Sequence, residues 1–250
     1  MSAITRDASH NYYYEGRQYR GVTDTLKVID KSAALMSWAA KHTAQAALDL
    51  YDGDGLAQLL ATVGREGAIK ALTARANWQR DEAAALGTEV HRLADLVVRG
   101  EPTPSMDETT RGRVLAYAQW WKSSGWTLRL SEAMLLNITA SYGGTCDLLA
   151  FDRDGKTVMA DIKTGKAVYQ EAVLQLTAYG MAELIQPASD NVMAPATVYP
   201  MPKVDRHVIL HVTADAVREV EVTVGSLEQI AWLACLDLAT WRDSVKGKRL

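Results

Sequence analysis

An α/β fold, with a central mixed β-sheet flanked by helices, is what this sequence predicts, on three observations. Alanine-rich helical text gives way to β-branched text near residue 130. Three consecutive strand-like runs follow that change. Beyond them, helix and strand patterns alternate up to a closing helix. The 250 residues, 48% of them apolar, are enough chain to bury a sizeable core, and no repeat or Gly/Ser linker divides them, so a single domain over 1–250 is expected.

Each element has a local cause. Four tyrosines, Tyr12, Tyr13, Tyr14 and Tyr19, surround Glu15-Gly16, which suits a small hairpin over 11–20. Thr23 can cap a short helix through about 30, and Ser32 a second one through about 50. The turn text 51–55 precedes helical text over about 56–99, punctuated by Gly64, Gly67 and Gly87. Pro102 and Pro104 end it, and Asp107 opens a helix to about 122 that stops at Ser123-Ser124-Gly125. The helical N-terminal part thus covers about 21–125, and the sheet with its helices about 127–242. Strands are expected at 127–137, 139–152 and 156–165, a helix at about 168–186 stopped by Pro187, further strands at 196–201, 207–213 and 220–224, and a last helix over about 226–241.

Composition excludes several classes. With 27 Lys+Arg against 30 Asp+Glu the net charge is −3, so the chain does not grip nucleic acid by bulk positive charge. No run of 18 apolar residues encodes a membrane span, and the polar first 20 residues lack the apolar core of a secretory signal, so a soluble, cytoplasmic protein is expected. Cys146 and Cys235 are too few for a four-cysteine metal site. No phosphate loop of the GxxxxGK[ST] type and no nucleophile elbow occurs.

The chemistry-bearing text is Thr145 to Lys163. Strand side chains alternate, so Asp161 and Lys163 share one face and Ile162 takes the other. The turn after Asp152 decides whether Asp147 joins them. A three-residue loop, Arg153-Asp154-Gly155, with Gly155 left-handed, pairs 152 with 156 and sets Asp147 opposite Asp161 and Thr145 opposite Lys163. Cβ atoms of opposed residues lie about 4.5–5.5 Å apart, where like charges repel. Two facing aspartates among apolar neighbours therefore need a counter-charge, which Lys163 supplies in part and a hard divalent cation would supply more fully. A salt-bridged hairpin on a wet sheet face is the plain alternative.

Further candidates flank the hairpin. Gln175 and Tyr179 are four apart on one helical face, and His91 follows Gly87 by one turn with Asp95 a further turn on, placed to orient the imidazole. Asp52-x-Asp54-Gly55 and Asp152-x-Asp154-Gly155 lack the remaining ligands of a calcium loop and read as turns. His207 and His211 sit on a strand pattern and read as structural; Trp120, Trp121 and Trp126 read as core, with base stacking as the alternative.

Taken together, G-T-E-V-H (87–91), S-E-A-M-L-L-N (131–137), G-G-T-C-D-L-L-A (143–150), D-I-K-T-G-K (161–166) and Q-L-T-A-Y (175–179) resemble the PD-(D/E)XK nuclease superfamily, in its RecB-like branch that includes CRISPR-associated and phage exonucleases. The opening segment 21–31 followed by Trp38 is similar to that of the phage members, and the resemblance spans about 12–186. It implies a restriction-endonuclease-like core and a metal-dependent DNA exonuclease of recombination or end processing. By the same resemblance His91, Asp147, Asp161 and the Ile162 carbonyl ligate one or two Mg2+ or Mn2+ ions, and Lys163 positions or deprotonates water. Gln175, Tyr179 and Lys166 would contact the nucleic acid, and Glu132 stands at a frequently acidic position near a second ion. DNA is the implied partner, with a single-strand annealing protein and a homo-oligomer allowed, and the host cytoplasm is the location if the gene is a phage's. Asp147 lacks the proline of the motif's name, and without the cysteine quartet no iron–sulfur cluster is expected. A structure-selective or nicking endonuclease would use the same site; a non-catalytic DNA-binding module is the alternative of another class.

Overall fold

A computed structural model describes residues 3–188 and 197–246. Its chain order is β1 (Thr5–Arg6), β2 (Tyr12–Tyr14), β3 (Arg17–Gly21), α1 (Val22–Thr25) with a single 3-10 turn (Leu26–Val28), α2 (Ser32–Tyr51) and α3 (Gly55–Arg99). Then come α4 (Glu108–Ser124), β4 (Thr127–Asn137), β5 (Tyr142–Phe151), β6 (Thr157–Lys163), α5 (Gln170–Gly180), β7 (Leu184–Gln186), β8 (Tyr199–Pro200), β9 (Arg206–Val212), β10 (Val217–Val222) and α6 (Ser226–Val245). The architecture is α/β with one mixed sheet, as the sequence predicts. No helix among the described residues is long and apolar enough to cross a membrane.

The chain divides into two compact units, one of Met1–Ile29 with Glu89–Leu250 and one of Asp30–Thr88. The second is built from α2 and the first part of α3, where Gly64 leaves helical geometry (φ 71°, ψ 178°) and kinks the run. The first holds the sheet and, as shown below, every predicted site residue. Within it Asp107 caps α4 by accepting the Thr110 N–H, and left-handed Gly125 ends that helix.

Strand β5 organises the sheet. It pairs antiparallel with β4 along most of its length, from Thr127↔Phe151 to Asn137↔Tyr142. On its other edge β6 pairs only as far as Leu148↔Ala160, while β3 joins parallel at Arg20↔Tyr142 and Gly21↔Gly143. Beyond Ala160, β6 leaves β5 and continues parallel to β9 through Lys163↔His211. The sheet therefore forks between β5 and β6, on the edge of β5 that runs from Gly144 to Asp147. Leu149, Met159, Leu176, Ile209 and Trp232 fill the core that holds the two prongs and α5 together, and burying each such side chain contributes about 1.5–3 kcal/mol.

The turn between β5 and β6 is the predicted one. Asp152 N–H donates to the Lys156 carbonyl, Gly155 N–H donates back to the Asp152 carbonyl, and Gly155 is left-handed at φ 75°. The Asp152 carboxylate accepts the backbone N–H groups of Asp154 and Lys156, which closes the loop. The N-terminal hairpin also stands where its text places it, turning at Glu15-Gly16 with both residues at positive φ.

Three expectations need correction. The helix expected over 168–186 ends at Gly180, and Leu184–Gln186 forms β7 against Met134–Leu136 of β4. Such a short apolar run fits either state, and β4 offers it a free edge whose partners are not visible locally. The strand expected over 139–152 begins only at Tyr142, because Ile138 to Ser141 make the turn, Ser141 at φ 60°. Of the strand expected at 196–201, only Tyr199–Pro200 is extended, and residue 196 lies outside the described residues.

Candidate active site

Asp147, Asp161 and Lys163 converge at the fork. The register carried past Leu148↔Ala160 sets Asp147 against Asp161, as the three-residue loop requires. At that point a side chain takes over from the ladder: Asp147 Oδ2 accepts the Ile162 backbone N–H at 2.7 Å. The same oxygen lies 3.3 Å from His91 Nδ1, so the α3 histidine reaches the fork. Lys163 Nζ stands 2.6 Å from Asp161 Oδ2 and donates to Gln175 Oε1 at 3.0 Å. Gln175 Nε2 in turn donates to the Tyr179 hydroxyl at 2.9 Å. The helical spacing of Gln175 and Tyr179 therefore serves to aim an amide at the lysine.

Tyr179 can lie there because residue 144 is glycine. A Cβ at Gly144 would fall inside van der Waals distance of the Tyr179 ring edge. Gly144→Ala is expected to lower stability by about 1–3 kcal/mol through overpacking, read as a fall in the denaturation midpoint. Tyr179 is only 3% exposed, so it does not offer the strand contact expected of it; its observed role is to hold Gln175. Lys166 is exposed in the loop after β6, and Ile162 is buried with its N–H committed to Asp147. Asp95 pairs with Arg99 at 3.6 Å, and the imidazole it was expected to orient is held by Asp147.

Glu132 completes the cluster. Ser131↔Leu148 and Ala133↔Cys146 bracket it, so it stands across from Asp147 on β4, with a left-handed φ of 49°. A non-glycine residue in that region costs about 1–2 kcal/mol, strain of a kind that gathers at functional sites. Ligand atoms of His91, Glu132 and Asp147 all lie within 4.8 Å of one another. Extending the hairpin parity through a four-residue turn at 138–141 would have placed Glu132 there, but that turn contains neither glycine nor proline to mark it.

The charges are mutually dependent. Burial alone would lower the His91 pKa, but the Asp147 carboxylate beside it wins and raises it to about 9. Burial works against Asp147 ionisation, yet His91, Lys163 and the Ile162 N–H hold its carboxyl below the ordinary value. Asp161, 1% exposed, is pushed up to about 6 by burial, with Lys163 opposing and Asp147 reinforcing the shift. Glu132 is raised to about 7 by burial and by Asp147. Burial would lower Lys163, but Asp161 and Asp147 keep it above its ordinary value, so it is an ammonium at neutral pH.

The donor set suits a hard divalent ion. The two carboxylates and one imidazole that cluster there match Mn2+ or Mg2+ better than a thiolate-seeking metal. Asp161 Oδ1 is buried and has no hydrogen-bond partner, although buried carboxylate oxygens almost always have one. Ligation through His91 Nδ1 requires loss of its proton. Mn2+ affinity is therefore expected to rise about tenfold per pH unit between pH 7 and 9, more steeply below 7 where Glu132 also titrates, and to level off above 9. Calorimetry in buffers of different ionisation enthalpy reads the released proton directly.

No protein-family model matches this chain. No curated protein matches it either. Among solved structures, one titled "Crystal structure of SSO0001" aligns with 53% of this chain at 14% identity and a TM-score of 0.31, a likeness too distant to carry an argument. The alignment spans 59% of that structure's chain.

Proposed function

We propose that this chain is a Mg2+- or Mn2+-dependent deoxyribonuclease with a restriction-endonuclease-like core, hydrolysing phosphodiester bonds from DNA ends. The observation that carries the proposal is the fork itself. There the His91, Glu132 and Asp147 ligand atoms gather within 4.8 Å, and across the strands from Asp147 a buried Asp161 has an oxygen, Oδ1, with no partner, its Oδ2 lying against the Lys163 ammonium. A merely structural salt-bridged hairpin would have no use for that oxygen or for a strained glutamate opposite Asp147. The exonucleolytic mode rests on the ordered motifs and their resemblance to RecB-like nucleases.

His91, Glu132, Asp147 and Asp161 would hold the ion, with the Ile162 carbonyl as the further ligand the resemblance implies. Bound there, it would lower the pKa of a coordinated water and neutralise charge on the phosphate. The protein's own groups do the rest. An ammonium has three N–H donors; Gln175 accepts one of Lys163's and Asp161 lies against the group as an ion pair, which leaves a donor for hydroxide or a phosphate oxygen. Being charged at neutral pH, Lys163 acts as donor and positive charge rather than as base. Gln175, fixed by Tyr179, keeps that ammonium in place.

Incubation of end-labelled linear DNA, single- and double-stranded, with Mg2+, Mn2+ or EDTA tests the proposal. Metal-dependent release of nucleotides, with covalently closed circles left intact, is the expected result. Nicking of the circles would move the assignment to an endonuclease. No hydrolysis of any of these substrates with either metal would overturn it.

A further inference from the structure

We propose that Arg6 grips a phosphate of the nucleic-acid strand beside the acidic cluster, an inference that rests on the nuclease reading and names the cation that brings a polyanion to an acidic site. Arg6 is exposed at the end of β1, and its Nη1 donates to the Thr145 hydroxyl at 3.3 Å. Thr145 shares a strand face with Asp147, two residues along β5. The Arg6 charge is close enough to Glu132 to favour its ionised form.

Its presentation is rigid. Ile4, two residues earlier, is 1% exposed and exchanges reciprocal hydrogen bonds with the Gln186 side chain, at 2.6 Å from its N–H and 3.0 Å to its carbonyl. Tyr12, which pairs with Arg6 across the hairpin, places its hydroxyl 2.9 Å from the same Thr145 oxygen. Ile4, Tyr12 and Tyr19 pack with Leu136 of β4 in a small apolar cluster of their own.

Other arginines of this unit are spent on carboxylates: Arg20 on Asp24 and Asp243, Arg92 on Glu89, Arg206 on Asp152 and Glu221. Arg6 forms no ion pair among the described residues, although Glu132 is close enough to feel its charge. A guanidinium has five N–H donors in a planar fork, and one is used. The remainder match two oxygens of a phosphate.

The test measures binding of a fluorescent oligonucleotide by anisotropy over a salt series. It is run in EDTA, and again with Mg2+ in protein carrying Lys163→Ala to prevent turnover. Arg6→Ala is expected to weaken binding about tenfold and to lower the salt slope by about 0.7–0.9, the value of one phosphate contact. Arg6→Lys should restore the slope but not the full affinity. Thr145→Val, which keeps the charge and loses the tether, should weaken binding severalfold. Mn2+ affinity without DNA should stay equal or tighten in Arg6→Ala, since a nearby positive charge is gone. Oligonucleotide binding by Arg6→Ala equal to that of the unaltered protein would overturn the inference while leaving the nuclease reading intact. So would a parallel loss of Mn2+ affinity, which would make Arg6 a support of the acidic cluster. An unaltered protein that neither binds nor hydrolyses nucleic acid would instead sink the nuclease reading, and Arg6's role with it.

Discussion

Lys163→Ala is expected to lower turnover of linear DNA about a hundred- to a thousandfold, the usual loss when one preorganised donor to developing charge is removed. The residue's position makes it a specific test. Its ammonium is held by Asp161 at 2.6 Å and Gln175 at 3.0 Å, so it is fixed before any substrate arrives. Removing it leaves Asp161 buried without its nearest counter-charge, and that carboxyl, already raised to about 6, shifts further toward the protonated form. Turnover should therefore fall through both lost donation and weaker ion binding, with KM for DNA changed less than kcat. Gln175→Leu should reproduce a smaller part of the loss, since it frees the ammonium without deleting it. Turnover by Lys163→Ala within about threefold of the unaltered enzyme would remove this lysine from the mechanism.

Asp161→Asn separates stability from function in opposite directions. A folded-state pKa of about 6 against an ordinary 3.8 means that folding disfavours the charged form. The stability of the neutral form is fully present below about pH 3.8 and is lost as pH rises through about 6. The loss is complete near pH 7 and amounts to at most about 3 kcal/mol. Asparagine removes that charge. Measured in EDTA at pH 8, the variant should melt several degrees above the parent, by roughly 2–4 °C for each kcal/mol in a chain of this size. At pH 4 the two should melt together. The melting shift that Mn2+ gives the parent should be largely absent, and hydrolysis should fall to background. A variant destabilised in EDTA at pH 8 would show that Asp161 is held by pairing with Lys163 and has no unmet need for an ion.

How much of this was legible in the sequence depends on whether the cause was local. The β5–β6 turn was, because Asp152 and left-handed Gly155 act within five residues and parity then carries Asp147 to Asp161. So was the Gln175–Tyr179 spacing, though not its purpose. Tyr179 proved to be a buried support because Gly144 admits its ring, a contact between two elements that no spacing rule reveals. Glu132 was visible only as an acidic position. Its placement needs an unmarked turn at 138–141, from which the pairing runs without a shift through Ala133↔Cys146 to Ser131↔Leu148. The split of β6 from β5 lies further out of reach, because the strands that pair β5 and β6 around it, β3 at Tyr142–Gly143 and β9 along β6, come from distant parts of the chain. The same distance hid Arg6, which meets Thr145 across 139 positions.

Anomalous diffraction from a crystal soaked with Mn2+ at pH 8 addresses the metal centre without recourse to activity. A peak at the β5–β6 fork, within ligand distance of carboxylate oxygens from both Asp147 and Asp161 and of the His91 ring, is the result this account predicts. A fork that stays empty at saturating Mn2+, with His91 and Lys163 still bonded to the two aspartates, would contradict it.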